Sequence, residues 1–456
     1  MMIDKIASSF RDPSGFVFSE NGQIFRQVNY SYKNNYDQLI QSGLYDNLIS
    51  NQLLISHQAL KVPPKFQGYK LIAPVEIPFI SYPYEWCFGQ LKDAALLTLN
   101  LQKKSLDKGM SLKDASSFNI QYFQGHPILI DTLSFENYPI NRPWVAYRQF
   151  CEQFLAPLAL ASYDERLLHL LVPYLGSIPL DLVTRLLPIS KKVNLGILVH
   201  LLLHAKSQSK YSTKNIGQLQ QGSFSLNSLY GLIDNLQTTI EGLHPHQNKT
   251  NWNNYGLDCK DSYSKEALDQ KQKLVHQYIQ FIKSKYVWDL GANNGTFSRI
   301  AQSLGAFVVS LDSDHGAVEY NYQQAKINNE HNILPLWVDL INPSSNLGWN
   351  NEERDSLLGR PQPDTILALA LIHHLVIANN LPMDWVAQFL ANNCQSLIIE
   401  FVPKSDPQTQ TLLQTREDIF NSYTQSEFEI SFSKLFKIKK KSMINGSQRV
   451  LYLMTR

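Results

Sequence analysis

The stretch Val287–Asp314, VWDLGANNGTFSRIAQSLGAFVVSLDSD, decides how the chain is read. An apolar run passes into Asp289 and then into a turn carrying Gly291 and Gly295. Helical spacing follows, and a second apolar run closes on Asp312. Strand, glycine turn, helix and strand make the opening of a parallel β/α unit. In such sheets ligands sit beyond the carboxyl ends of the strands, where the strand order reverses. Asp289, Gly291, Ala292, Asn293, Asn294 and Gly295 fall at the first of these ends, and Asp312 at the second. Glycine lets backbone approach a ligand closely, and the first N–H groups of the following helix have no partner within it.

The same texture continues from residue 263 onward. KEALDQKQKLVHQYIQFI reads as a helix, AFVVSLD as a strand, HGAVEYNYQQAKIN as a helix, and ILPLWVD and TILALAL as strands. MDWVAQFLANN (helix), SLIIEFV (strand) and TREDIFNSY (helix) follow, and LFKIKKKSMI with RVLYLMTR forms a closing antiparallel pair. Alternating βα units with continuously apolar strands argue for a parallel sheet covered on both faces.

Glycine spacing separates two nucleoside ligands. A dinucleotide fold wants its second glycine two residues after the first. Here Ala292, Asn293 and Asn294 lie between Gly291 and Gly295. DLGANNGTFS instead resembles motif I of class I S-adenosylmethionine-dependent methyltransferases. The resemblance covers about 265–456 and implies an α/β fold with a Rossmann-like seven-stranded sheet. It places Asp289, Gly291, Ala292, Asn293 and Gly295 at the amino-acid end of the cofactor S-adenosylmethionine, Asp312 on the ribose and Asp339 on the adenine side. ALALIHHL (368–375), which includes Ala370, matches the fourth motif, at the mouth where the methyl group is delivered. His373 or His374 could take a proton from an acceptor there, or pack on the cofactor without proton chemistry. Glu400, ending LIIE, could orient an acceptor or assist that base. Each residue also has a plainer use: a tight turn for Gly291 and Gly295, a helix cap for Asp312 (with Asp314 the better candidate), and a turn before Asn342-Pro343 for Asp339. IIEFVPKSDP followed by TREDIF resembles a bacterial methyltransferase group that includes host-specificity nodulation proteins.

The front half divides by pattern into an α+β region (1–145), a leucine-rich helical region packing on it (146–240) and a polar linker or lid (241–264). FVFSENGQIFRQV places two strand-like runs around Asn21-Gly22, a hairpin signal. YKLIAPVEIPFISYPYEW reads as two further extended runs, LKDAALLTLNLQKKSLDKG as a helix and HPILIDTLSF as a strand. Asp114, Asn119 and Asp131 resemble the catalytic-loop DxxxxN and the later metal-binding Asp of protein-kinase-like folds. That resemblance implies Asp114 as base and Asn119 with Asp131 on Mg²⁺. The sequence departs from it in three ways. Leu112 stands where histidine is usual, no glycine-rich phosphate loop is present, and only Arg26 or Lys33 could replace the usual lysine. His200 and His204 share a helix face at metal-ligand spacing but lack a third ligand, and read as ordinary histidines.

Bulk properties bound the rest. The 456 residues are 44% hydrophobic and 18% charged, with a formal net charge of +2. This suits a folded protein of two or three domains without a large nucleic-acid surface. Cys87, Cys151, Cys259 and Cys394 form no CxxC pair, so neither a zinc nor a redox site is expected. The apolar run near 166–205 is broken by Pro173, Asp181, Arg185 and Pro188, short of the ~20 apolar residues a membrane span needs. The expectation is a cytoplasmic methyltransferase with no metal, its front half positioning a small-molecule or glycan acceptor rather than nucleic acid. The alternatives are a bifunctional or nucleotide-binding protein with a degenerate kinase-like module, a noncatalytic Rossmann-like adaptor, and, disfavoured by the glycine spacing, a dehydrogenase. Trp252, Tyr255 and Tyr263 are read as a lid over the cofactor.

Overall fold

The computed structural model describes residues 4–63, 67–188, 195–203, 224–246, 264–414 and 416–456. The chain divides into two units. One comprises 1–246 with 346–355, the other 247–345 with 356–456.

The first unit opens with a five-stranded antiparallel sheet in the order β1 (Asp4–Lys5), β2 (Gly15–Glu20), β3 (Gln23–Val28), β5 (Lys70–Pro74), β4 (His57–Leu60). β2 and β3 form the expected hairpin. Glu20 pairs with Gln23, and Asn21 and Gly22 both take positive φ, as a two-residue turn of this hand requires. Two short helices not expected from the sequence follow: α1 (Lys33–Gln41) and α2 (Leu44–Ser50). Their apolar faces are small. Tyr36 and Leu39 are buried on one, Leu44, Tyr45 and Leu48 on the other, with left-handed Gly43 between. So polar a pair carries little periodic signal and is held by packing rather than propensity. The second extended run expected within 69–86 is not a strand; beyond β5 it is irregular, with a 3₁₀ turn at Pro83–Glu85.

The long helix α3 (Phe88–Leu106) begins where Gln90 caps the Cys87 amide. It leads to β6 (Met110–Leu112), β7 (Ile120–Phe123), β8 (His126–Leu129) and β9 (Phe135–Asn137), paired β6 with β9 and β7 with β8. A buried helical segment, Tyr147–Ala161, widens to π-helical geometry at Cys151–Leu155. The helix α4 (Leu226–Glu241) packs along α3. His200 is fixed between the Tyr147 hydroxyl (2.8 Å) and Asn235 Oδ1 (2.7 Å). His204, Cys259, Trp252, Tyr255 and Tyr263 lie outside the described residues.

The second unit holds a seven-stranded sheet in the order β12 (Ile333–Trp337), β11 (Phe307–Asp312), β10 (Tyr286–Leu290), β13 (Thr365–Ala368), β14 (Ser396–Phe401), β16 (Val450–Thr455), β15 (Lys437–Met443). The first five strands are parallel, and the last two add an antiparallel edge. Strand order reverses between β10 and β13, which places the switch point at the glycine turn. Helices α5 (Lys265–Ile282), α6 (Thr296–Ser303), α7 (His315–Ile327) and α8 (Met383–Asn393) flank the sheet strands in sequence. On one face Val275, Tyr278 and Ile279 of α5 and Ala301 of α6 close over Val287, Val308, Leu367, Ile398, Leu451 and Leu453. Each large aliphatic chain buried there contributes roughly 1.5–3 kcal/mol. The edge strand β15 leaves Lys437, Lys439 and Lys441 exposed, a placement that discourages edge-to-edge pairing.

The helix expected at TREDIFNSY (415–423) does not form over its described residues, 416–423. Its place is taken by α9 (Pro407–Leu413) before it and α10 (Gln425–Ser433) after it. Asp406 and Thr424 cap these two helices, and between them Asp418 accepts from the Phe420 amide and pairs with Lys404. Capping and turn chemistry override a weak helical period.

Gly295 caps α6 with φ +76°, and a Cβ there would stand 2.2 Å from Asn321 Oδ1. Positive φ and a steric clash act together, so Gly295→Ala is expected to cost about 2–4 kcal/mol in urea unfolding.

Candidate functional site

A cavity of about 320 Å³ opens at the carboxyl edge of the second unit's sheet. Its wall includes Asp289, Gly291, Ala292, Asn293, Asp312, Asp339, Ala370 and His374. These residues come from the ends of four strands, as the doubly wound topology dictates.

The glycine turn is tied to the neighbouring strand before anything binds. Asp312 Oδ2 accepts from the Asn293 amide (2.8 Å) and Oδ1 from the Asp314 amide (2.9 Å). Gly291 and Ala292 both donate their amides to the Leu311 carbonyl. Burial raises the Asp312 carboxyl, while its amide partners oppose the rise. Asp314 caps α7 through the Ala317 amide. Asp339 accepts from the Ile341 amide (2.9 Å), so it makes a turn and lines the cavity at once. Ala370 takes φ +51°, a left-handed geometry costly for alanine, immediately after β13.

Asp289 is buried behind the loop. The Ser298 hydroxyl donates to its Oδ2 (2.6 Å), Ser298 Oγ lies 3.0 Å from Ser310 Oγ, and Asn321 donates to Ser310 (2.8 Å). This chain links β10, α6, β11 and α7. Burial pushes the Asp289 carboxyl up to about 6.

The three candidate catalytic residues are placed differently. His374 is in the cavity wall. His373 is buried behind it with rings 4.2 Å apart, and its Nδ1 has no hydrogen-bond partner. Burial lowers both imidazoles, His373 well below the ordinary range, so both are neutral near pH 7. Glu400 is fully buried, does not line the cavity, and pairs with Lys271 Nζ at 2.7 Å. Lys271 and Arg449 are wall residues not singled out from the sequence. Lys271 had a signal: it interrupts the apolar stripe Ala267, Val275, Tyr278, Ile279 on α5, with all five side chains buried. Arg449 precedes the wholly apolar run VLYLM and is 1% exposed.

In the first unit, the loop from Asp114 to Asn119 and the end of β8 meet. Asp114 accepts from the Ser116 amide and Gln149, and burial, followed by the nearby Asp131 charge, raises its carboxyl. Asn119 donates to Ser134 Oγ (3.3 Å). Asp131 is already engaged through both oxygens: Oδ1 meets the Leu133 amide (2.8 Å) and Arg26 Nη1 (2.7 Å), and Oδ2 accepts from Ser134 (2.8 Å). Arg26 also grips Asp12 at 2.6 Å. These residues do not fit a resident Mg²⁺, because a guanidinium stands against the carboxylate the ion would need.

Strand order, the reversal at the glycine turn and the acids at the ends of β11 and β12 together define a Rossmann-like methyltransferase fold. The chain belongs to the nodulation protein NoeA family. It is 32% identical over 469 residues to Nodulation protein NoeA of Rhizobium meliloti (strain 1021), covering 99% of this chain and 96% of that one. No family profile matches the chain. Among solved structures, it is similar to magnesium protoporphyrin IX methyltransferase of Synechocystis PCC 6803 with bound SAH (19% identity, TM-score 0.30, 42% of this chain and 84% of that one). It is also similar to the N-methyltransferase NodS of Bradyrhizobium japonicum WM9 (9%, TM-score 0.31, 42% and 98%) and to the bifunctional kinase-methyltransferase WbdD (18%, TM-score 0.29, 41% and 39%).

Between pH 4 and 6 the folded protein keeps a proton on Asp289 that the unfolded chain releases, so this group's contribution to stability falls as pH rises. Asp289→Asn should therefore gain on the wild type across that window, by roughly 3 kcal/mol at pH 7 in thermal or urea unfolding. Arg26→Met leaves Asp131 and Asp12 uncompensated and should cost about 2–4 kcal/mol, partly recovered in Arg26→Met/Asp131→Asn.

Proposed function

We propose that the protein is an enzyme that transfers a methyl group from S-adenosylmethionine to an acceptor bound beside His374. The observation that carries this is a single cavity walled by the glycine turn, Asp312 and Asp339 at the sheet's switch point. The cofactor fits these residues. Gly291 lines the cavity, where a Cβ would meet Leu371 Cδ1 at 3.3 Å, and two strand-end carboxylates, Asp312 and Asp339, are in the same wall, whereas Gly295 stands outside it and shapes the turn against Asn321. Asp312 would accept from the ribose hydroxyls, Asp339 from the adenine amino group, and the turn from Asp289 to Gly295 would hold the amino-acid end. Bound S-adenosylmethionine supplies an activated sulfonium methyl, so alignment of the acceptor accounts for much of the rate. His374, neutral and in the wall, would accept a proton from an acceptor hydroxyl or amine. His373 would act by orienting His374, and Glu400 by holding Lys271.

The first unit would recognise or position the acceptor. A small molecule or glycan suits the near-neutral chain better than a nucleic acid, and the relative's name places that protein in nodulation. The engagement of Asp131 by Arg26 favours this recognition role over phosphoryl transfer.

Calorimetric titration of S-adenosylmethionine should show one site per chain in the wild type. Asp312→Asn should weaken it at least tenfold while the fold is retained. A folded wild type that binds no S-adenosylmethionine would refute the proposal.

A further inference from the structure

Six residues of the cavity wall come from one short segment: Leu369, Ala370, Leu371, His374, Leu375 and Asn379. The segment follows β13 directly and widens to π-helical geometry at His374–Ala378. In that register the His374 carbonyl accepts from the Asn379 amide, five residues on (3.1 Å), and also from Asn379 Nδ2 (2.9 Å). Two wall residues are thus closed on each other across the turn. The ordinary α-helical register would give the His374 carbonyl to the Ala378 amide and move Asn379 one helical position, about 100° around the axis. Turns with π geometry are rare and cluster at functional sites. The segment also starts on left-handed Ala370, so neither of its ends is relaxed backbone. It depends on contacts from outside.

Arg416 supplies such a contact. Its Nη1 donates to the Ile377 carbonyl and to the Ala378 carbonyl (3.2 Å). Carbonyls at the end of a helical turn lack partners within it, and a cation there is favoured by the backbone dipoles as well. Among the described residues the Arg416 guanidinium meets no acid, so these carbonyls are its partners. The stretch that presents Arg416 is itself tied down. Helix α9 packs on the π turn, Lys404 Nζ pairs with Asp418 at 2.7 Å, and the Tyr423 hydroxyl donates to the Val402 carbonyl (2.7 Å). We propose that Arg416 is a positioning residue for methyl transfer: by holding the Ile377 and Ala378 carbonyls it fixes the π register that sets His374 and Asn379 together in the cavity wall. This rests on the methyltransferase reading for what the wall serves. Arg416 does not line the cavity, so it acts through the turn.

The test uses the full chain as wild type, as Arg416→Ala and as Arg416→Lys, the last of which keeps a cation able to donate to carbonyls. Arg416 is exposed, so both variants should fold. Three quantities are read on each: affinity for S-adenosylhomocysteine by calorimetry, hydrogen exchange of the peptide spanning 374–381, and titration of His374 in histidine-labelled protein, its signal assigned with His374→Gln. Burial holds the His374 imidazole below its ordinary range, so loosening the turn moves its midpoint upward. In Arg416→Ala the exchange across 374–381 should quicken about tenfold or more, and the His374 midpoint should rise by about half a unit or more. The melting temperature should stay with the wild type, and S-adenosylhomocysteine should bind within about threefold of it. Arg416→Lys should return both exchange and midpoint toward the wild type. An unchanged midpoint and unchanged exchange in Arg416→Ala would overturn the inference. So would changes that come with a lowered melting temperature, which mark a general structural role. A wild type that binds no S-adenosylhomocysteine would refute the methyltransferase reading, and the titration and exchange would still decide whether Arg416 sets this wall.

Discussion

Everything at the candidate site depends on one carboxylate that is occupied on its inner side. Asp312 accepts from the Asn293 and Asp314 amides, so the end of β11 holds the turn after β10 and the entry to α7 at once. A loop of five residues with three left-handed positions, Gly291, Asn293 and Gly295, would otherwise sample many shapes. Fixing it from the next strand means that the backbone approach, the strand-end acid and the helix N-terminus arrive as one preorganised unit. Asp289, Ser298, Ser310 and Asn321 repeat the device one layer deeper, where the groups are fully buried.

The parts of this arrangement that were legible in the sequence are local. Alternating apolar runs located β10 to β14, and residues just beyond such runs must lie on the carboxyl edge, so Asp312, Asp339 and the glycine turn could be placed without a structure. What was not legible depends on contacts distant in sequence. Lys271 meets Glu400 across 129 residues, and Arg449 meets Asp406 across 43. No local period records such pairings. The orientation of adjacent histidines is equally hidden. His373 and His374 differ by one position, yet the helical turn after β13, which widens to π geometry at His374–Ala378, puts one in the wall and buries the other. The helices at 33–50 and the absent helix at TREDIFNSY fail for the opposite reason, since local signals were weak there and packing or capping decided.

In the first unit a recognisable spacing makes contacts other than those its resemblance implies. Asp114, Asn119 and Asp131 are brought near one another, as their order suggests. Yet Arg26, on the second strand of the first hairpin, supplies a permanent positive charge to Asp131 and Asp12. A guanidinium built into the fold neutralises the carboxylates at every ion concentration, whereas a metal would do so only when bound.

Residues 346–355 follow β12 in the chain but belong to the first unit. There Arg354 lies over the Phe118 ring, Glu353 pairs with Arg11, and the Asp355 amide reaches the Tyr82 hydroxyl. The consequence is one of timing during synthesis. Domains generally form as they leave the ribosome, amino end first. This first unit cannot be completed when residue 246 emerges, because Phe118, Arg11 and Tyr82 still await partners encoded about a hundred residues later. Its final packing and the growth of the second unit's sheet are therefore obliged to overlap in time.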